Sequence, residues 1–481
     1  MRWCLFAWTV IACGWPAPTT LPAAPPLTQQ QGAEALRRAV DFFRQQVSIE
    51  GGYLWSYSSD LSLREGEGRA SKTTAWVQPP GTPSVGEALL AAYRNTGDRY
   101  YLDSARETAL ALVTGQLKSG GWDYRIEFAA GDRQRYAYRS LGENAGSRNT
   151  TTLDDNTTQS ALQFLMHIDQ QLAFKHKQIH EAAVYALRSL LRAQYPNGGW
   201  PQRFAEYPDP DKFPVRKASY PDNWPPLHPD VDYRSYYTFN DNTIADTIAL
   251  MLDAAVVYSE PAYRAAAIRA GDFIILSQMP DPQPAWAQQY NNQGHPAWAR
   301  KFEPPAVTGG ESQGVMTTLM MLYRRTGEKK FLEPIPRALA YLKASRLPDG
   351  KLARFYELKT NRPLYFTREY KLVYHDRDLP THYGFQVSSK LDRISQQYQQ
   401  LLERGPDKAP PGKPQVQRAR LTPSLQAAAE KVVATLDDRG AWAEDGSLRY
   451  QADGKSPSRI ISCTTFISNV ELLSRFVGAR P

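Results

Sequence analysis

Apolar residues recur along most of this chain at the three- and four-residue spacing of amphipathic helices, interrupted by polar turns rich in glycine. Leu36, Val40 and Phe43 share one face of a segment from Ala33 to Gln46. The same periodicity predicts helices at Ser84–Asn95, Tyr100–Lys118, Thr157–Leu172, Ile179–Gln194, Thr243–Tyr258, Pro261–Gln278, Glu311–Thr326 and Phe331–Ser345. Ser84 followed by Glu87 has the form of a capping box, which would start the second helix. A Pro/Lys-rich linker over 405–416 leads to a last helix pair within 417–481, Pro423–Leu436 and Thr464–Phe476. Strands should be few.

The helices repeat in units. A helix end followed by Gly-Gly-aromatic occurs at Gly51-Gly52-Tyr53, Gly120-Gly121-Trp122 and Gly198-Gly199-Trp200, with looser copies at Asp349-Gly350 and Gly440-Ala441-Trp442. The clear copies lie about seventy to eighty residues apart, room for two helices and a loop. A helical hairpin cannot bury its apolar stripe alone, so such units stack. Closing the stack gives an all-α fold, an α/α toroid (an incomplete barrel of helical hairpins) over 30–404 with long loops at one end. The C-terminal pair would pack on it or complete it. A linear solenoid is the competing arrangement.

Four long segments break the helical scheme, at Tyr124–Thr152, Arg203–Ser235, Asp281–Thr308 and Tyr356–Tyr383. Loops of this length in a compact domain are usually functional or disordered. These carry Tyr, Trp, Arg and Asp, and are expected to line a cleft.

Composition narrows what the cleft could bind. The chain has 11 Trp and 27 Tyr, side chains that can stack on sugar faces while a polar edge stays wet, although many would simply pack between helices. A net charge of +8 favours a polyanion. The basic residues form no Lys/Arg run of the kind a nucleic-acid arm carries. Arginines beside aromatics, as in Arg203-Phe204 and Arg354-Phe355-Tyr356, favour an acidic polysaccharide.

The amino terminus, 1–24, reads as an export signal: Arg2, then the apolar run Trp3 to Ala12, too short for an integral membrane span. Val10-Ile11-Ala12-Cys13 has the form of a lipoprotein box with Cys13 as the lipidated residue, while Ala23-Ala24 allows ordinary cleavage. A secreted or periplasmic protein is expected. With Cys4 removed, at most Cys13 and Cys463 remain, so no disulfide framework supports the fold.

Three constellations could carry chemistry. Asp154-Asp155-Asn156-Thr157-Thr158-Gln159 and Asn240-Asp241-Asn242 each sit at the start of an apolar helix. Helix N-capping accounts for one acidic residue at such a place and less well for two in tandem. Two such clusters meeting at one end of a toroid would make a cation site, and few carboxylates with an anionic ligand suit Ca²⁺. No His-x-x-His or Cys-x-x-Cys spacing points to zinc. The third constellation is Arg300, Arg354 and Arg368 on aromatic-rich loops, where guanidinium forks match uronate carboxylates.

These segments together resemble the pectate lyases of polysaccharide lyase family ten. The shared motifs are Asp-Asn with Thr-Thr-Gln, Gly-Gly-Trp-Pro-Gln, Thr-Phe-Asn-Asp, Trp-Ala-Arg, Gly-Glu-Ser, and Arg-Phe-Tyr-Glu with Asn-Arg-Pro, in the family's order from about Gln30 to Phe385. The resemblance implies an α/α toroid and Ca²⁺-dependent β-elimination of polygalacturonate with an arginine base. By motif, the base falls on Arg300, the uronate-binding arginines on Arg354 and Arg368, and the calcium carboxylates on Asp241 and Asp155. Asn240 and Trp200, from the same motifs, are expected to touch substrate. Burial beside cations is expected to disfavour the charge on Arg300. The chain departs from the family's pattern where Asn156 runs straight into Thr157 and where the loop Ala205–Tyr236 is longer than usual.

Two rival readings stay open. One is an α/α-barrel glycoside hydrolase drawing on Glu127, Asp154, Asp155 and Glu311. The other is a non-catalytic protein that binds anionic glycans.

Overall fold

A computed structural model describes residues 25–407, 419–451 and 456–480. The expected leader with Cys13 and most of the expected linker lie outside these residues. Within them are twelve helices of ten to eighteen residues, and no described helix is long and apolar enough to cross a membrane.

The inner helices pack in sequence: Cys463–Val477 against Thr82–Thr96, then Thr157–Gln171, Thr243–Tyr258, Gly309–Thr326 and Leu391–Arg404. The outer helices fill the spaces behind them. This is an α/α toroid. The helix Leu391–Arg404 is one the apolar periodicity did not predict, because only Leu391 and Ile394 of it are buried.

The glycine turns explain how one unit docks on the next. Trp122 Nε1 donates to Leu112 O, Trp200 Nε1 to Leu190 O and Trp442 Nε1 to Val432 O, so each indole caps the helix just ended. Gln116 Nε2 donates to Gly120 O and to Ala182 O of the next unit. Gln194 Nε2 does the same with Gly198 O and Ala266 O. Gly198, at φ +94°, presses so closely on the next unit that a Cβ would stand 2.0 Å from Arg269 O. Gly440 presses on Arg38 O in the same way, so the C-terminal pair docks ahead of the first helix as one more unit. Strand Arg459–Ser462 pairing with Ser56–Ser58, and Phe466 stacked on Phe43, complete that seam.

Trp200 is therefore part of the frame. It is 0 % exposed with its one donor satisfied, which corrects the expectation that it touches substrate. Trp200→Ala is expected to cost about 3–5 kcal/mol of unfolding free energy, as large core truncations do. Urea denaturation measures it.

Two local expectations also change. The second helix starts at Thr82 with Gly81 as its N-cap and Pro83 in its first turn, so Ser84 caps nothing. Glu87 instead meets His167 Nδ1 at 2.6 Å. The capping box belongs to the first helix, where Thr28 and Gln31 satisfy each other's backbone N–H. Strands are numerous, not few: seventeen among the described residues, each of two to four residues. Some staple loops to helix mouths and others join in loop-built sheets of up to five strands, and runs of two to four residues leave little alternating pattern to read.

Candidate active site

Three of these staples build the site. Thr151–Thr152 pairs with Arg203–Phe204 just before the helix Thr157–Gln171. Tyr237–Thr238 pairs with Gln289–Tyr290 just before Thr243–Tyr258. Ala306–Thr308 pairs with Phe355–Glu357 just before Gly309–Thr326.

The first two mouths have the same backbone. Asp155 and Asn156 sit at φ 49° and 57°, and Asp241 and Asn242 at φ 46° and 57°. Consecutive left-handed residues cost energy in L-amino acids, least for Asp and Asn. Neither helix receives a side-chain cap from this turn, so N-capping does not account for the acidic residues. Gln159 holds the two mouths together, its Nε2 donating to Leu153 O at 2.9 Å and reaching Thr243 O at 3.3 Å.

As a result Asp154, Asp155 and Asp241 bring carboxylate oxygens within 4.8 Å of one another. Burial first, then the charges of Asp154 and Glu67, push Asp155 up to about 6. Burial, then Asp154 and Asp155, push Asp241 up to about 7, with Arg300 opposing. Asp154 accepts from Tyr124 Oη at 2.8 Å and faces Arg203 Nη2 at 3.3 Å, both through Oδ2. Its Oδ1 is buried without a partner. Three crowded acids, one with an orphaned oxygen, form an all-oxygen donor set that could hold a hard cation. The tandem Asp154-Asp155 already carried the signal for Asp154, which was expected as a hydrolase acid and not as a ligand.

Asn240 is buried, and its Nδ2 donates to Asp241 Oδ2, so it aims the carboxylate and does not face substrate as expected. Asp241 also lines a cleft of about 220 Å³ together with Gly310, Glu311 and Arg354. There Arg354 Nη1 meets Glu311 Oε1 at 3.0 Å, Nε donates to Gly384 O, and the guanidinium lies 4.7 Å from the Tyr383 ring centroid.

Arg300 acts electrostatically on both Asp155 and Asp241. Its Nη2 meets Glu303 Oε1 at 2.5 Å, and its own N–H donates to Glu303 Oε2. Tyr383 Oη donates to the same Glu303 Oε1. Burial would raise Glu303, but its bonds and charge partnership with Arg300 win and hold it below the usual range. Burial would lower Arg300, and Glu303 reverses that too, so Arg300 is held more firmly protonated than a free arginine. The expectation that burial makes it easy to deprotonate is corrected, and Glu303, two residues beyond Lys301, is the reason.

Arg368 stands apart. It is on the turn between strands Pro363–Phe366 and Leu372–Val373, with a side chain 70 % exposed and facing Asp378 at 3.4 Å. No contact in the described residues joins it to the acid cluster. Glu127 is also elsewhere engaged, accepting from Thr74 Oγ1 within a strand pair.

A family model described as pectic acid lyase matches residues 133–351, a span holding the three acids, Arg300 and Glu303. Among solved structures the chain is similar to the family 10 polysaccharide lyase from Cellvibrio cellulosa, at 20 % identity over 66 % of this chain and 97 % of that one, with a TM-score of 0.44. A mutant of the family 10 lyase from that organism, in complex with trigalacturonic acid, matches at 18 % identity over 67 % and 98 %, TM-score 0.44. An unsaturated glucuronyl hydrolase from Streptococcus agalactiae matches at 10 % identity over 94 % of each chain, TM-score 0.39. No curated protein matches.

Proposed function

We propose that this chain, whose residues 133–351 match a family model described as pectic acid lyase, is a polysaccharide lyase that cleaves polygalacturonate by calcium-dependent β-elimination with Arg300 as base. The observation that carries the reading is the gathering of Asp154, Asp155 and Asp241 beside Arg300 and across a cleft from Arg354. Export through the amino-terminal segment would bring the enzyme to a polymeric substrate.

Asp154, Asp155 and Asp241 would hold the calcium. Bound there, it would neutralise the uronate carboxylate at the reacting sugar and offset the carboxylate charge that now favours protonated Arg300. Arg354, fixed by Glu311 and Gly384 O, would pair with a uronate carboxylate. Glu303 occupies only Nη2 and the backbone N–H of Arg300, leaving Nη1 and Nε with no protein partner among the described residues. One of these nitrogens, once deprotonated, would take the C5 proton, which the adjacent carboxylate acidifies. The bond pair moves to C4–C5 and O4 departs, giving a 4,5-unsaturated uronide. Because Glu303 opposes deprotonation, the pH optimum should be strongly alkaline. Calcium-dependent ultraviolet absorbance of the unsaturated uronide, from the mature protein acting on polygalacturonate at alkaline pH, tests this. Products without a double bond would remove the lyase reading.

A further inference from the structure

The long loop Ala205–Tyr236 bounds a cavity of about 460 Å³ together with Thr150, Pro201 and the strand Arg203–Phe204. The cavity begins one side chain away from the acid cluster. Arg203 lines it, and the guanidinium of that residue reaches Asp154 Oδ2 at 3.3 Å and Tyr124 Oη at 3.2 Å. A sugar chain lying on the acids can pass a neighbouring unit into this space.

The walls are braced within the protein. Arg203 N–H donates to Arg234 O at 3.2 Å, Tyr195 Oη to Ser235 O at 2.7 Å and Asn292 Nδ2 to Lys212 O at 3.3 Å, which ties the loop down near both its ends. Phe213 packs on Tyr195 with ring centroids 4.5 Å apart. Tyr207 carries the Arg192 guanidinium over its ring, 3.8 Å from the centroid, and its Oη donates to Ser189 Oγ at 3.2 Å. Tyr207 and Phe213 are both half-buried and both line the cavity. Braced rings with part of their surface open can take the apolar face of a pyranose.

Charge decides which pyranose fits. The lining holds three cations, Arg203, Lys212 and Arg234, and three acids, Glu206, Asp209 and Asp232. Each cation already meets an acid. Arg234 gives its Nε and Nη2 fork to the two oxygens of Asp232 at 2.8 and 2.7 Å, Lys212 Nζ lies 3.6 Å from Asp209, and Arg203 is held by Asp154. A uronate carboxylate entering here would have to draw a cation from its partner and then lie beside the acid left behind. An uncharged unit makes no such demand, and its hydroxyls can bond to the paired groups as they stand.

We propose that this cavity is a subsite for an uncharged sugar unit near the cleaved bond, either a methyl-esterified galacturonosyl unit or a neutral hexose in its place. The identity of the chain that carries this unit rests on the lyase reading. Isothermal titration in EDTA compares three ligands: trigalacturonate, its fully methyl-esterified form and galactotriose. Wild type is expected to bind at least one of the two uncharged trisaccharides, and which one binds tells ester from neutral hexose. Tyr207→Ala should weaken that binding about tenfold, the scale of a lost aromatic anchor, and trigalacturonate binding by less than about threefold. Tyr207→Phe, whose missing hydroxyl is committed to Ser189, should bind the uncharged ligand within about threefold of wild type. Asp232→Asn releases the Arg234 fork and should tighten trigalacturonate binding about threefold or more. Phe213→Ala repeats the test on a second ring, so a misfolded Tyr207→Ala does not end it.

The proposal is overturned if wild type binds neither uncharged trisaccharide, or if both ring-deletion variants bind it as wild type does. An equal loss of trigalacturonate binding in those variants overturns it as well, because the cavity would then be an ordinary uronate subsite. So does an Asp232→Asn variant with no gain for trigalacturonate, since pairing would not be what excludes a carboxylate. Polygalacturonate that yields no unsaturated product with Ca²⁺ would refute the lyase reading instead, and the titrations would still decide the subsite.

Discussion

Arg300→Ala is expected to lower kcat on polygalacturonate by about 10³–10⁴-fold, the range of a lost general base together with its positioning, while oligogalacturonate binding survives. The side chain has two separable roles, proton acceptor and anchored cation. Its Nη2 is already committed to Glu303, whose side chain is 2 % exposed, so the guanidinium is held in one orientation before any substrate arrives. On the proposed reading, carboxylate recognition would remain with Arg354 and with calcium held by the acid cluster. Isothermal titration of the variant with trigalacturonate measures what is left, and a parallel collapse of affinity and kcat would make Arg300 a binding residue.

The truncation also strands Glu303. It would keep Tyr383 as a donor and Arg300 N–H through the backbone, but lose its charge partner. Some loss of stability should accompany the catalytic defect, so activity must be compared below the melting temperature. Arg300→Lys separates base from anchor more cleanly. An ammonium gives up its proton at lower pH than a guanidinium. If the residue is the base, the lysine variant should keep residual activity with its optimum moved toward neutral pH. If the residue only pairs with carboxylate, the optimum should stay where it is.

The fold was readable in the sequence because its repeat is a covalent pattern. Gly-Gly-aromatic turns and the glutamines near them specify contacts of one unit with the next, and these recur at fixed spacing. What escaped was whatever depends on a single contact. Glu303 and Arg300 share one short turn, yet only the folded loop shows that the carboxylate is buried and aimed at the guanidinium. Trp200 looked like a sugar platform because exposed and buried indoles are indistinguishable in sequence; its Nε1 bond to Leu190 O decides the matter. Asn240 and Asp154 exchanged standing for a similar reason. The repeated left-handed turn places the first residue of each cluster inward, where an acid becomes a ligand candidate and an amide becomes a brace. Arg368 sat in a convincing motif, but its hairpin tip carries it to solvent.

Asp154→Asn is expected to lower lyase activity about a thousandfold at moderate Ca²⁺, the several kcal/mol that a correctly held metal supplies to developing charge. The same change should make the calcium-free protein less sensitive to pH. Asp155 and Asp241 are raised to about 6 and about 7 by burial and by mutual repulsion with Asp154. Between pH 4 and those values the native state binds more protons than the unfolded chain, so stability falls as pH rises. The calcium-free wild type should therefore melt at a lower temperature at pH 8 than at pH 5. Added Ca²⁺ binds the deprotonated cluster, so its stabilisation should grow over the same interval. In Asp154→Asn one source of repulsion is gone: the pH slope without metal should flatten and the Ca²⁺-induced rise in Tm should shrink. Differential scanning fluorimetry at pH 5 and pH 8, with EDTA or with Ca²⁺, reads all of these. A wild-type Tm indifferent to Ca²⁺ at pH 8 would mean that the three carboxylates do not form a metal site, whatever the assay on pectate shows.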